Sequence, residues 1–389
     1  MALPDLSDMA SFGSEWPLLL ECASPTFDAQ RLVGLARPAD WSRLLALAEK
    51  HAVLGHLAVR LHEADENLAP AEIRETLLEY HRAQVFSTLG MTAELFRLLE
   101  LFAAKEIPTL VVKGPVLGMQ AYGDPTVRRY GDLDLLVRQR DIRRATESLQ
   151  AVGYMATVPL SAIDAGKIPG QYLFSKPDSK LLVELHNDFT LRYFPRRLPL
   201  EKFFARHILV RLDSHEAPAL TVEDELVYIC IHGATHFWER LSWIADVAAL
   251  VTRQTGIDWM AVTEAAKEVG AERMLHTGLR LATDMLHARL PDTVLATVEG
   301  DVGAAKLAAS VRTWLIAAGN APPTLLERAV FRLRMRGSGF SAPAYLLRLS
   351  LSPTEEDWKQ GAPENRHGFL DALHRPFRLA RKHSRGSKS

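Results

Sequence analysis

The chain has 389 residues, of which 48% are hydrophobic and 24% charged, enough apolar material for two or three buried cores. Lys and Arg number 46 against 47 Asp and Glu, a formal net charge of -1, which excludes a globally basic nucleic-acid binder and leaves only local basic patches. Cys22 and Cys230 lie far apart with no CxxC spacing, so neither a disulfide framework nor a zinc knuckle is indicated. The opening residues, MALPDLSDMASF, lack a basic stretch followed by an apolar one, and no segment approaches the ~20 uninterrupted apolar residues of a membrane span. A cytoplasmic protein with no membrane association is expected.

Residues 1–105 read as a helical region. Trp41, Leu44, Leu45, Ala48 and Val53 recur at helical spacing after a starting cap at Pro38-Ala39-Asp40, and a long periodic stretch runs from Ala71 to about Lys105. From Ile107 the period shortens. Leu110–Val112 and Tyr130–Val137 read as strands, with a short helix over Val116–Tyr122 between them. Asp141–Val152 reads as an amphipathic helix closed by Gly153, and Tyr154–Val158 as a further strand. Gln171–Ser175 and Lys180–Asn187 form a hairpin around Pro177-Asp178-Ser179. Residues 106–212 therefore make a compact mixed-sheet core. Residues 213–383 are a second helical region, with helices from about Thr221, over Val302–Ala318 and over Leu325–Met335. Residues 384–389 are expected to be a disordered basic tail. The fold class is α+β, a small mixed-sheet core embedded between two helical regions.

The chemistry-bearing residues cluster in LVVKGPVLGMQAYGDPTVRRYGDLDLLV, residues 110–137. Asp132 and Asp134 stand two apart on a strand and share one face. Two like charges side by side raise each other's energy unless a cation lies between them. Glu184 in LLVELHND is the third carboxylate, and His186 and Asp188 share its face. If that strand lies beside the Asp132 strand, Asp132, Asp134 and Glu184 converge as metal ligands and catalytic carboxylates for Mg²⁺ or Mn²⁺. The bland alternative is an ordinary edge strand with two solvated aspartates.

Lys113-Gly114 adds a tight turn and a point charge suited to phosphate, and Arg128 and Arg129 could meet the same phosphates. With His186 they are the residues expected to contact a phosphate-bearing ligand. No GxxxxGK[ST] loop is present. His232 and His236, at i and i+4, could suggest a metal-dependent hydrolase with Asp246. No HExxH accompanies them, and a structural or substrate-contacting role is preferred. Trp238 and Trp243 read as packing residues. Arg375, Arg378, Arg381, Lys382, Arg385 and Lys388 could attract RNA or polyphosphate, or simply form a solvated basic end.

Lys113-Gly114-Pro115, Tyr122-Gly123-Asp124-Pro125, Arg128 and Gly131-Asp132-Leu133-Asp134-Leu135-Leu136-Val137 together resemble the uncharacterised nucleotidyltransferase family of the polymerase-β-like superfamily. More distantly, they resemble the nucleotidyltransferase toxins of abortive-infection systems. Leu182–His186 is similar to the family's third-carboxylate strand, and the helix carrying His232, His236, Trp238, Trp243 and Asp246 to its helical motif. Pro353–Trp358 and Arg375–Leu379 also match. The resemblance implies a polymerase-β-like core and a metal-dependent transfer from a nucleoside triphosphate such as ATP. It places the metals on Asp132, Asp134 and Glu184 and the triphosphate on Lys113 and Arg128. Many superfamily members carry Gly-Ser where this chain has Lys113-Gly114, so their nucleotide contacts do not transfer directly.

The expected activity is Mg²⁺-dependent nucleotidyl transfer to an acceptor hydroxyl on a peptide, small molecule or tRNA, with release of pyrophosphate. The alternatives are kinase-like phosphoryl transfer from the same site and a non-catalytic nucleotide-binding regulatory protein.

Overall fold

The computed structural model describes residues 13, 15–65, 67–160, 163, 170–177, 181–188, 198–316 and 323–336. The expected turn at Asp178-Ser179, the motif at Pro353–Trp358 and the basic end from Arg375 lie outside the described residues.

After α1 (Glu15–Ala23), two short helices begin on aspartate caps. Asp28 accepts from the amides of Gln30 and Arg31 at the start of α2 (Ala29–Ala36), and Asp40 accepts from that of Arg43 at the start of α3 (Trp41–Lys50). The apolar period from Trp41 onward does not continue as one helix. Ala52 takes φ +56 and the chain restarts as α4 (Leu54–Ala64). Beyond Pro70, α5 (Ala71–Ala103) runs for 33 residues, as its long stripe expects.

There follow β1 (Thr109–Val112), α6 (Gly114–Tyr122), β2 (Asp132–Val137), α7 (Ile142–Ala151), β3 (Met155–Ala156), β4 (Gln171–Ser175), β5 (Leu182–His186) and α8 (Leu200–Arg206). A hairpin of β6 (Ile208–Leu212) and β7 (His215–Ala219) was not among the predicted elements. His215, Glu216 and Pro218 are poor strand formers, so pairing across the Asp213-Ser214 turn, with Asp213 at φ +56, imposes the extended conformation. Helices complete the described chain: α9 (Val222–Thr235), α10 (Leu241–Arg253), α11 (Trp259–Val269), α12 (Glu272–Leu286), α13 (Asp292–Gly300), α14 (Val302–Ile316) and α15 (Leu325–Arg334). The class is α+β, as expected.

The described residues form two compact units. The first takes residues up to Phe96, Val112–Gly131 and those from His207 onward; the second takes Arg97–Val111 and Asp132–Arg206. In the first, α9 and α10 are joined through Phe237 and Trp238, both at positive φ. The Trp238 indole is fully buried and lies against Gly233 and Gly278. A Cβ on either glycine would fall within 3 Å of the ring, so both positions must remain bare. Trp238 is thus a packing residue.

In the second unit the strand order is β3-β4-β5-β2-β1. β2 and β5 pair in parallel, with Asp132 opposite Leu182, Asp134 opposite Glu184 and Leu136 opposite His186. β4 runs antiparallel on the far side of β5, with Gln171 opposite His186. The period of two then sorts the side chains. Leu133, Leu135, Val137, Val183, Leu185, Tyr172 and Phe174 fill one face and are buried, while Asp132, Asp134, Glu184, His186 and Gln171 share the other. α7 buries Ile142, Ala145 and Leu149, the stripe its spacing predicts.

Candidate active site

β2 is an interior strand, flanked by β5 and β1, which removes the reading of Asp132 and Asp134 as solvated edge aspartates. Asp134 is 2% exposed. A buried carboxylate is costly unless a partner compensates it, and here Nε2 of His186 lies 2.8 Å from its Oδ1 and 3.4 Å from Oε2 of Glu184. The amide of Gln171 donates to the same Glu184 oxygen. Ligand atoms of Asp134, Glu184 and His186 all fall within 4.8 Å of one another. Asp132 is on the same face, one step nearer the start of the strand and half-buried, and is not part of that group. Asp188, expected on the face of Glu184, lies past the end of β5, where its carboxylate accepts from the amide of Leu198 at 2.9 Å.

The electrostatics follow from this packing. Burial opposes a charge on His186, but hydrogen bonds to Asp134 and Glu184 and their negative charges outweigh it and push its pKa up to about 9. An imidazolium therefore holds two carboxylates together at neutral pH, the task a metal ion would otherwise perform. Two carboxylates and, once a cation displaces its proton, an imidazole on one buried face are a fitting donor set for a divalent cation. The imidazole suits Mn²⁺ as well as, or better than, the oxygen-seeking Mg²⁺.

Lys113, Gly114, Arg128 and Arg129 belong to the helical unit. Lys113 directly follows β1 and stands at φ +54, ψ -138, a region that L-residues rarely occupy; Gly114 then opens α6 at φ +45. The strained backbone is held by Glu225, fully buried on α9, whose Oε1 accepts the Lys113 amide at 2.9 Å. Arg128 is buried, and its Nε donates to Oδ2 of Asp246 on α10 at 2.8 Å. Tyr122 donates from its hydroxyl to the other oxygen of Asp246 at 3.0 Å. Arg129 is exposed and hydrogen-bonds to Tyr80.

Sequence reasoning did not identify Glu225, Gln171 or the pairing of Asp246 with Arg128. The signal was present for the two acids. Each interrupts an otherwise apolar helix, in DELVYICI and WIADVAALV, and an acid buried in such a run requires a partner. His232 and His236 have ring centroids 4.6 Å apart, and each lies 5.4 Å from that of Trp243. Asp246 is committed to Arg128 and Tyr122, which removes the acid the hydrolase reading needed.

No helix among the described residues is long and apolar enough to cross a membrane. A family model described as an uncharacterised nucleotidyltransferase matches residues 37–287, well over half of the chain. A search of curated proteins finds no match.

Proposed function

The chain belongs to the uncharacterised nucleotidyltransferase family, and from that premise we propose that it moves a nucleotidyl group from a nucleoside triphosphate to an acceptor hydroxyl. The observation that carries this reading is the meeting of Asp134, Glu184 and His186 on the polar face of an interior strand pair. Asp134 and Glu184, with His186 and the neighbouring Asp132, would hold Mg²⁺ or Mn²⁺. Such an ion would supply positive charge for the phosphate oxygens and the leaving pyrophosphate.

The chain's own residues do the rest. An acceptor oxygen bonds to the α-phosphorus, the bond from that phosphorus to the β-phosphate bridge breaks, and pyrophosphate departs. Glu184, at 15% side-chain exposure more accessible than Asp134 at 2%, takes the acceptor's proton. Gln171 fixes the Glu184 rotamer by its hydrogen bond. Lys113 and Arg128 bind the triphosphate, with Gly114 allowing close backbone approach and Arg129 assisting. Peptides, small molecules and tRNA ends are the acceptor classes to test, and the cytoplasm is the expected compartment.

The test is incubation with each labelled triphosphate, Mg²⁺ or Mn²⁺, and fractionated acceptor pools. Pyrophosphate release with label on an acceptor supports the reading. Nucleoside diphosphate as product would replace it with phosphoryl transfer. Metal-dependent nucleotide binding without any product would leave a regulatory nucleotide binder.

A further inference from the structure

A cavity of about 400 Å³ opens within the helical unit, lined by residues at the C-terminal ends of α1, α6 and α10 and along α4. Its size falls in the range that small ligands fill. His56 on α4 lines it and is 5% exposed, yet neither of its ring nitrogens has a hydrogen-bond partner among the described residues. The hydroxyl of Thr252 on α10 lines the same cavity and is likewise buried and, among the described residues, without a partner. Native interiors rarely leave such a group unsatisfied without a ligand or water to complete it.

The groups around these two decide what would complete them. The acids of the cavity are already committed. Glu63 pairs with Arg60 at 2.6 Å, and Oδ1 of Asp124 accepts from the amide and hydroxyl of Thr126 at 2.8 and 2.7 Å. Arg253 also lines the cavity, and its guanidinium occupies the space beside Gly123 that any side chain there would fill. The remaining imidazole, hydroxyl and guanidinium can all donate hydrogen bonds. Burial first, then the positive charges of Arg60 and Arg128, hold His56 neutral with a pKa lowered to about 3.

We propose that this cavity binds a small anion, the carboxylate or phosphate of a metabolite-sized molecule, through His56, Thr252 and Arg253. None of its lining residues belongs to the Asp134–Glu184–His186 group, so the site stands whether or not the proposed transfer reaction does.

The test is calorimetric titration of the full-length protein with inorganic phosphate, with succinate, and with the neutral analogue succinamide. Saturable binding of an anion and none of the amide is expected. Affinity should weaken at least roughly tenfold in both Arg253→Gln and Thr252→Val, and persist in Asp134→Asn. Binding of phosphate alone assigns a phosphate ligand, and binding of succinate alone a carboxylate ligand. Both variants sit at the cavity wall and leave His56 unsubstituted, so misfolding of a His56 variant does not enter. Absence of saturable binding by either anion, binding unchanged in both variants, or binding lost in Asp134→Asn would overturn the proposal.

Discussion

Nε2 of His186 stands 2.8 Å from Oδ1 of Asp134, on neighbouring parallel strands and nearly sealed from solvent. The pair makes Asp134 the centre of the acidic face, so Asp134→Asn is expected to abolish stabilisation by metal and nucleotide in a thermal-shift assay. Its activity should fall by more than the roughly 10–100-fold typical of residues outside the ligand shell. Asp132, outside the mutual 4.8 Å group, is expected to show the milder loss as Asp132→Asn. Equal losses would place Asp132 in the same shell.

The buried Arg128–Asp246 pair supports a stability prediction with a sign reversal. Asp246→Ala removes the carboxylate that balances a buried guanidinium and is expected to cost about 3–5 kcal/mol in denaturant unfolding. Replacing both partners, as Arg128→Met with Asp246→Leu, should recover most of that loss while triphosphate binding is lost with the Arg128 guanidinium. A double variant as unstable as Asp246→Ala would show that the pair is not compensated as a unit.

Lys113 stores backbone strain that its side chain does not explain. Lys113→Ala and Lys113→Gly both remove the ammonium, but only glycine adopts φ +54 freely. The glycine variant is therefore expected to be more stable than the alanine variant by about 1–2 kcal/mol, with both losing triphosphate affinity. Equal melting temperatures would count against strain at this turn.

Two buried histidines set an acid limit on the fold. Burial, then the charge of Lys50, lowers the pKa of His51 to about 4; burial, then Arg60 and Arg128, lowers that of His56 to about 3. Both values lie below that of an unfolded histidine, about 6.5. The unfolded chain therefore binds more protons between these values, and the stability these residues contribute is complete above about pH 6.5 and lost as the pH falls toward 4 and then 3. Denaturant unfolding at pH 7 and pH 4.5 should differ by on the order of a few kcal/mol from these two sites. His51→Gln should flatten part of that slope; an unchanged slope would sink the assignment.

Local order was legible in the chain itself. Asp28 and Asp40 announce helix starts because a short side chain can cap free amides. The alternation in Asp132–Val137 puts Asp132 and Asp134 on one face because a strand turns over at every residue. The β6–β7 hairpin was not legible, since its residues take the extended form only from pairing.

Which distant residues meet was decided by tertiary structure. His186 meets Asp134 across 52 residues, the Lys113 amide meets Glu225 across 112, and Arg128 meets Asp246 across 118. Spacing along a chain specifies which side chains share a face, not which distant strand or helix will lie against it. That choice rests on burying the apolar faces of all the elements at once. It made His186, rather than Asp132, the third member of the group around Asp134.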